Sequence, residues 1–367
     1  MRLYLKKNVY EAALDRIRWC YDEFEHVSVC FSGGKDSTVV ANLAIQVARE
    51  KGRLPVPLFF IDHEYSWHSA ISYIRKMMDR PDVIPRWFQG HTVVQSITNK
   101  LQHCWKPGGD WVREKEPDCL KIDFGTTEPY LLFAKYMEHF YGRNACQLGG
   151  VRGAESSGRI KAVTSDVTYE GITWGKIINK ERKLFDFYPI YDWGTRDVWK
   201  AIHDGGWEYC KAYDLMFQQG YDLDEMRLSH LHSNTALVHL QRAAELEPET
   251  WESVLKAVPG ANTLSHLKED YSSMKELPVA FSDWEEYRDY LLEHLVEEGE
   301  RGNYLRRFEN YEGRFGKSES LTRYQVNSIL VGDRDGVRLK NWASEFSVRE
   351  KNVLTRRNPQ WERSKRG

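Results

Sequence analysis

The sequence predicts an α/β protein: a doubly wound, mainly parallel sheet over residues 1–230, then a mainly helical domain with a basic end over 231–367. Three observations predict it. Short apolar runs alternate with helical patterns as far as residue 230, a glycine-rich turn joins the first run to the first helix, and strand signals fade afterwards. An amphipathic amino-terminal helix precedes the first strand, Val27 to Phe31. Residues 37–50 carry Val39, Val40, Leu43, Ala44 and Val47 at helical spacing. Pro57 to Ile61 reads as the second strand, Ser69 to Met78 as a helix, and Val83 to Phe88 as a weaker strand interrupted by Pro85. Residues 102–127 read as a long loop, 128–141 as a helix and Ala145 to Val151 as the fourth strand. A polar insertion then runs through Lys183, followed by strand Leu184 to Tyr188 and a helix opening at Thr195. Beyond residue 230, segments 235–246, 249–257, 282–297 and 338–351 suit helices.

Composition bounds the function. With 41% hydrophobic residues the 367-residue chain has material for a large core, so disordered and fibrous classes are excluded. A net charge of -2 speaks against a globally basic nucleic-acid binder. That value is a cancellation: residues 269–300 hold eleven Asp/Glu against Lys275 and Arg288, and the last 67 residues hold sixteen Lys/Arg against eight Asp/Glu. Both stretches read equally as solvated helix faces or as a partner surface. The absence of an apolar run of 18 residues or a signal-type segment leads us to expect a cytoplasmic protein without membrane contact. The six cysteines (20, 30, 104, 119, 146 and 210) form no C-x-x-C pair, so neither a zinc site nor an iron–sulfur cluster is expected.

The densest chemistry lies in Ser32-Gly33-Gly34-Lys35-Asp36-Ser37, between the first strand and its helix. Glycines allow the backbone to approach an anion, a helix start supplies amide donors, the serines supply hydroxyls and Lys35 a cation. Asp36 reads either as the helix N-cap or as a ligand to Mg²⁺ through water. The pattern differs from the Walker A loop G-x-x-x-x-G-K-[ST].

SGGKDS resembles the pyrophosphate (PP) loop of the adenine-nucleotide alpha-hydrolase superfamily, which has a Rossmann-like sheet. Leu58-Phe59-Phe60-Ile61-Asp62-His63-Glu64-Tyr65 resembles the F-I-D-T-G-Y strand end of its PAPS reductase and ATP sulfurylase small-subunit-like family, with His63-Glu64 in place of Thr-Gly. Gly149-Gly150-Val151-Arg152-Gly153-Ala154-Glu155-Ser156-Ser157-Gly158-Arg159 resembles that family's G-x-R-x-x-E-S-x-x-R segment. Tyr188-Pro189-Ile190-Tyr191-Asp192-Trp193-Gly194-Thr195-Arg196-Asp197-Val198-Trp199 resembles P-I-x-D-W-T-x-x-D-V-W, with Thr195 as a helix cap. The helical half is similar to a longer, IbrA-type branch.

The resemblance implies an enzyme that binds ATP or a related adenine nucleotide (PAPS or APS) with Mg²⁺. Ser32 to Ser37, Asp62, Gly150, Arg152 and Glu155 would bind the nucleotide, its base near Asp62. Lys35, Arg152 and Arg159 would act on its phosphates or sulfate, with an anionic acceptor as second substrate. The reductases' carboxyl-terminal E-C-G-[IL]-H segment is missing, and no cysteine follows Cys210. Alpha–beta cleavage of ATP or adenylyl transfer is therefore placed ahead of thiol-dependent PAPS reduction, for which Cys146, Cys104 or Cys119 would have to serve. A third reading is a non-catalytic nucleotide-binding regulator. Its basic end (Arg349, Lys351, Arg356, Arg357, Arg363, Lys365, Arg366) would contact nucleic acid or a partner protein. The basic insertion Lys176, Lys180, Arg182, Lys183 reads as a flap over phosphates or as a solvated loop.

Overall fold

The computed structural model describes residues 7–95, 101–155, 159, 163, 168–228, 243–257, 276–330, 332–333, 336, 339–340 and 342–343. Helix α1 (Val9–Glu23) leads into β1 (His26–Cys30), then α2 (Lys35–Glu50), β2 (Val56–Ile61), α3 (His68–Met78) and β3 (Val83–Phe88). A short antiparallel ribbon, β4 (Thr92–Gln95) and β5 (Leu101–Cys104), precedes α4 (Pro129–Phe140) and β6 (Ala145–Leu148). After it come β7 (Gly175–Asn179), β8 (Leu184–Phe187), α5 (Thr195–Asp204), α6 (Ala212–Gln218) and α7 (Pro248–Ala257).

The main sheet has the order β3-β2-β1-β6-β8-β7, parallel except for β7. The chain therefore works outward from β1 through β2 to β3, then returns to the other side of β1 with β6. The connections that leave the carboxyl ends of β1 and β6 part there, the place where an open α/β sheet forms a ligand crevice. Pro85 is tolerated because β3 is an edge strand. The ribbon and β7 are the two strand features the sequence pattern did not predict.

Both sheet faces are covered. On one face α1 and α2 pack through Ile17, Cys20, Val40, Leu43, Val47 and Cys146. On the other, α4 lays Leu132, Tyr136 and Met137 against Phe59, Ala145 and Leu184, with the Phe59 and Tyr136 rings stacked at 3.8 Å. The chain divides into compact units at 1–265 and 266–367, a boundary later than residue 230. The reason is α7: Val254 joins the first core, and the Glu247 carboxylate accepts from the amides of His68 (2.9 Å) and Ser69 (3.2 Å), capping α3 from far along the chain.

The second unit contains α8 (Trp284–His294), α9 (Glu298–Phe315) and α10 (Glu319–Leu330) around Trp284, Leu291, Phe308, Leu321 and Val326. The Asp283 side chain caps α8 by accepting from the Glu286 amide at 2.9 Å. Arg288 is held by Glu312 (3.0 Å) and Gln325 (2.9 Å), which accounts for one of the two cations in the acidic stretch. The expected helices at 235–246 and 338–351 fall mostly, and the basic tail entirely, outside the described residues. No helix among the described residues is long and apolar enough to cross a membrane.

Two expected caps are corrected. Gly34, extended at φ -75 and ψ 158, is the N-cap of α2, so Asp36 already lies in the first turn. Gly194 likewise caps α5, its amide donating to Asp197 at 2.7 Å, while the Thr195 hydroxyl faces Arg152 at 3.4 Å.

Gly150, just after β6, touches the start of α2. A methyl group there would lie 2.8 Å from the carbonyl carbon of Asp36 and from the amide nitrogen of Ser37. Backbone cannot swing aside as a side-chain end can, so Gly150→Ala should cost about 1–3 kcal/mol. For a unit of this size that corresponds to a melting temperature lower by several degrees. Calorimetry checks it: an unchanged melting temperature would show that the two loops can separate freely.

Candidate functional site

The two loops leaving β1 and β6 make one site. Gly33 adopts φ +74, and a side chain there would meet Ile74 of α3 at 2.9 Å, so glycine is needed on both counts. The turn is closed internally. The Ser32 amide donates to the Ser37 hydroxyl at 3.2 Å, the two hydroxyls lie 3.1 Å apart, and the Ser37 hydroxyl donates to the Gly34 carbonyl at 2.9 Å. The Lys35 amide donates to the Tyr213 hydroxyl at 3.0 Å, tying the loop to α6.

Lys35 is buried, with its ammonium donating to the Met226 carbonyl at 3.0 Å and lying 3.5 Å from Asp36. Burial pushes the ammonium pKa down, Asp36 opposes the shift, and Arg152 and Arg227 add to it. An anion placed here would relieve both the burial and the crowding of cations.

Arg152 is only 2% exposed, and its guanidinium is committed. It pairs with Asp36, lies 3.8 Å from Glu155, and reaches the Trp193 carbonyl and the Thr195 hydroxyl at 3.5 and 3.4 Å. It bridges three segments and is not among the residues lining the cavity described next. Glu155 pairs with Arg159 as well, so it joins a buried arginine to a half-exposed one.

A cavity of about 890 Å³ opens over these loops. Ser32, Gly34, Lys35, Asp36, Ser37, Gly150, Glu155 and Arg159 line it, together with Lys176 of β7 and Arg227. Cys30, Gln147, Asp186, Leu131 and Phe133 line it as well, and Lys176 is the cross-strand partner of Asp186. Another cavity, of about 910 Å³, lies between α2, α3 and Gly206 to Glu208 and contains none of the loop residues. Both are lined by cations, so neither size nor charge chooses between them; the Ser32–Ser37 loop does.

Asp62 is placed differently from the other expected residues. It is fully buried and accepts from the Glu64 amide (2.8 Å), Trp87 (2.8 Å), Gln89 (2.9 Å) and Arg113, and it does not line the cavity. Glu64 stands where the F-I-D-T-G-Y pattern has glycine, and it adopts the left-handed φ of 68 that glycine favours. Its carboxylate accepts from the amides of Trp105 and Val112, and burial pushes its pKa up. Asp62 and Glu64 together fasten the segment after the ribbon.

The cysteines sort clearly. Cys146 is fully buried on the α1 face beside Cys20, whose thiol burial and Cys146 push well up. Cys104 is buried next to Trp105, and burial pushes it up to about 12. The thiol at the cavity is Cys30, likewise pushed to about 12, by burial first and Asp186 second. His91 and His103 pair at 2.9 Å. Among the described residues no three His, Cys, Asp or Glu side chains converge as a metal site.

Arg227, Tyr213, Cys30, Gln147 and Asp186 are site residues that the motif reading missed. A signal existed for two of them: Gln147 and Asp186 are polar interruptions in otherwise apolar strands, each two residues before a cavity-lining position, Gly149 and Tyr188. Of the basic insertion, Lys176 reaches the cavity, whereas Lys183 is held by Glu23 at 2.7 Å.

The chain is 28% identical over 327 residues to the uncharacterized protein YbdN of Escherichia coli (strain K12), covering 80% of this chain and 77% of that one. The phosphoadenylyl-sulfate (PAPS) reductase of Candida auris, solved as a phosphate complex, is 15% identical, with 63% of this chain and 98% of that chain covered at a TM-score of 0.37. The Candida glabrata FMN adenylyltransferase bound to FMN and the ATP analogue AMPCPP is 12% identical, with 63% and 66% covered at a TM-score of 0.37. Residues 26–222, more than half of the chain, match the phosphoadenosine phosphosulfate reductase domain, and they span β1 to just beyond α6. The chain belongs to the phosphoadenosine phosphosulfate reductase domain family.

Proposed function

We propose that this protein is an enzyme that binds an adenine nucleotide across the β1–β6 crevice and reacts at its phosphates. The observation that carries the reading is a single cavity lined both by the Ser32–Ser37 turn and by Lys35, Arg159, Lys176 and Arg227. Amides at the start of α2 and the two serine hydroxyls would receive the β- and γ-phosphates. Lys35 supplies a positive charge already held in place by the Met226 carbonyl. Arg159 and Arg227 also line the cavity, suited to a leaving pyrophosphate or an anionic acceptor. Arg152 keeps the β1 and β6 loops in register and is a positioning residue in this reading.

Magnesium fits only as an ion carried by the nucleotide. Asp36 is the carboxylate on the turn, and Arg152 and Lys35 already neutralise its oxygens, so its contact with the ion would pass through water. The ion would draw charge from the phosphates. Chemistry on this chain's side is electrostatic: fixed cations stabilise charge that builds up on pyrophosphate as an acceptor attacks the alpha-phosphorus.

Cysteine geometry favours that reaction over thiol-dependent reduction. A reductase needs a thiolate, and the cavity's own thiol, Cys30, is held protonated by burial. Lys35→Ala should weaken binding of ATP about ten- to a hundredfold, the range for a charge-assisted hydrogen bond, and abolish measurable pyrophosphate release. Calorimetric titration with ATP and PAPS, alongside a pyrophosphate assay, checks this; tight binding with no turnover under any acceptor would remove the enzyme reading. Cys30→Ser should leave pyrophosphate release within about threefold of the parent. If the parent releases sulfite from PAPS with a thiol donor and Cys30→Ser does not, the reductase reading replaces ours.

A further inference from the structure

Attack at an alpha-phosphorus has two halves. Fixed cations serve the leaving oxygens, but an attacking group that carries a proton must also lose it. The carboxylate at the Ser32–Ser37 turn, Asp36, is already engaged by Arg152 and Lys35. A second carboxyl group lines the same cavity. It is Asp186 of β8, whose register partner on β6 is Gln147. Neighbours in parallel strands send their side chains to one face, here the face away from Cys146 and Phe185. Lys176 of β7 is the antiparallel partner of Asp186 and lines the cavity too, so amide, carboxyl and ammonium groups share one row of the sheet.

One carboxylate oxygen of Asp186 is buried without a hydrogen-bond partner, and so is the side-chain nitrogen of Gln147, a residue 1% exposed. Native proteins seldom leave buried polar atoms so, and a pair of them in a cavity calls for a ligand that completes both. Such a ligand must give a proton donor to the carboxylate and a lone pair to the amide. A hydroxyl or an amine does both with a single atom. A phosphate, sulfate or carboxylate oxygen has no proton to give at neutral pH. Ser28, the register neighbour of Gln147 on β1, lies four residues before Ser32, about 13 Å along the strand. That span leaves room for an alpha-phosphorus and an attacking group between the turn and the Asp186 row.

We propose that Asp186 is the general base of this enzyme, taking the proton from an acceptor that attacks through a hydroxyl or amine group held by Gln147. The inference rests on the nucleotide reading above and adds the class of acceptor and the residue that activates it. In the step, the attacking oxygen or nitrogen bonds to the alpha-phosphorus as the bond to the bridging oxygen of pyrophosphate breaks. The electron pair leaves with pyrophosphate, and the proton passes to Asp186 and then to water. Burial pushes the Asp186 pKa up to about 7 against the pull of Lys176, close to the pH at which a general base works best. The other titratable groups lining the cavity around it are Cys30 of β1, Tyr188 of its own strand, and Glu128 and Tyr130 at the start of α4. Burial holds Cys30 and Tyr188 protonated, and it lowers the pKa of Lys35, which acts on the alkaline side.

The test follows pyrophosphate release from ATP between about pH 5 and 9, on the full chain and on Asp186→Asn and Gln147→Met, whose folding is checked by circular dichroism. Water is one acceptor, and ethanolamine, which carries both a hydroxyl and an amine, is the other. The parent's rate should rise with pH through a midpoint near 7, since the protonated carboxyl is inactive, and then level off. Asp186→Asn should lower turnover about a hundred- to ten-thousandfold and remove that rise, while calorimetric titration finds ATP affinity within about threefold of the parent. Gln147→Met should raise the ethanolamine concentration for half-maximal rate about tenfold and keep the midpoint, as expected for one lost hydrogen bond. An unchanged concentration overturns the role given to Gln147. A flat parent profile, or a folded Asp186→Asn that keeps the parent's rate, overturns the general base and leaves the nucleotide site standing. A parent that binds ATP and releases no pyrophosphate with either acceptor overturns it together with the enzyme reading. A parent that binds neither ATP nor pyrophosphate overturns the nucleotide reading itself.

Discussion

The contact on which the site depends is the close approach of the chain after β6 to the first turn of α2. Gly150 permits it, since anything larger would strike the backbone of Asp36 and Ser37. Arg152 then secures it: a guanidinium 2% exposed, set between Asp36 on one loop and Glu155 on the other. A buried arginine cannot shed its proton, so these carboxylates are obligatory partners, and removing one would leave an uncompensated charge in the interior. The cavity lies at the switch point, where the chain goes from β1 on to β2 on one side and from β6 toward β8 on the other; it has its particular shape because this steric and ionic contact fixes the two loops together.

That arrangement explains why one arginine of the G-x-R-x-x-E-S-x-x-R segment serves structure and the other faces the cavity. Position 152 lies two residues after the glycine contact and points into the α5 entrance, where Trp193 and Thr195 offer oxygens. Position 159, seven residues on, is half-exposed at the rim. Sequence similarity treats the two alike, since both are guanidinium groups at motif positions. Burial separates them, and burial depends on segments near 36 and 193 that no local window contains.

Much of the fold was legible because its signals are local. The apolar runs of β1, β2 and β8 and the helical spacing of α2, α3 and α4 match the expected ranges within a few residues. The misses share a cause. Strand β7, Gly175-Lys176-Ile177-Ile178-Asn179, has only two strand formers in a row and exists by pairing antiparallel to β8, and in the ribbon the short Thr92–Gln95 pairs with Leu101–Cys104, which holds no β-branched or aromatic residue. The cap at α3 is supplied by Glu247, about 180 residues away, which is also why the first unit runs past residue 230. At the site, the Ser32–Ser37 turn was readable from six consecutive residues, whereas Asp62 was read as a ligand group because the strand-end rule gives position and not partners. Its four donors come from residues 64, 87, 89 and 113.

The division of labour between the sheet faces also bears on the chemistry. Alternation along β6 sends Cys146 and Leu148 into the α1–α2 core and Gln147 toward the cavity, so a cysteine beside the glycine loop in sequence is on the wrong face to reach a ligand. Alternation along β1 sends Cys30 to the cavity, next to a carboxyl group that discourages a thiolate. Burial and like charge thus act against nucleophilic sulfur in the cavity that the fixed cations Lys35, Arg159, Lys176 and Arg227 also line. A site built this way gains most from reactions whose charge appears on leaving oxygens, because preorganised cations lower that barrier without any group on the protein changing its bonding.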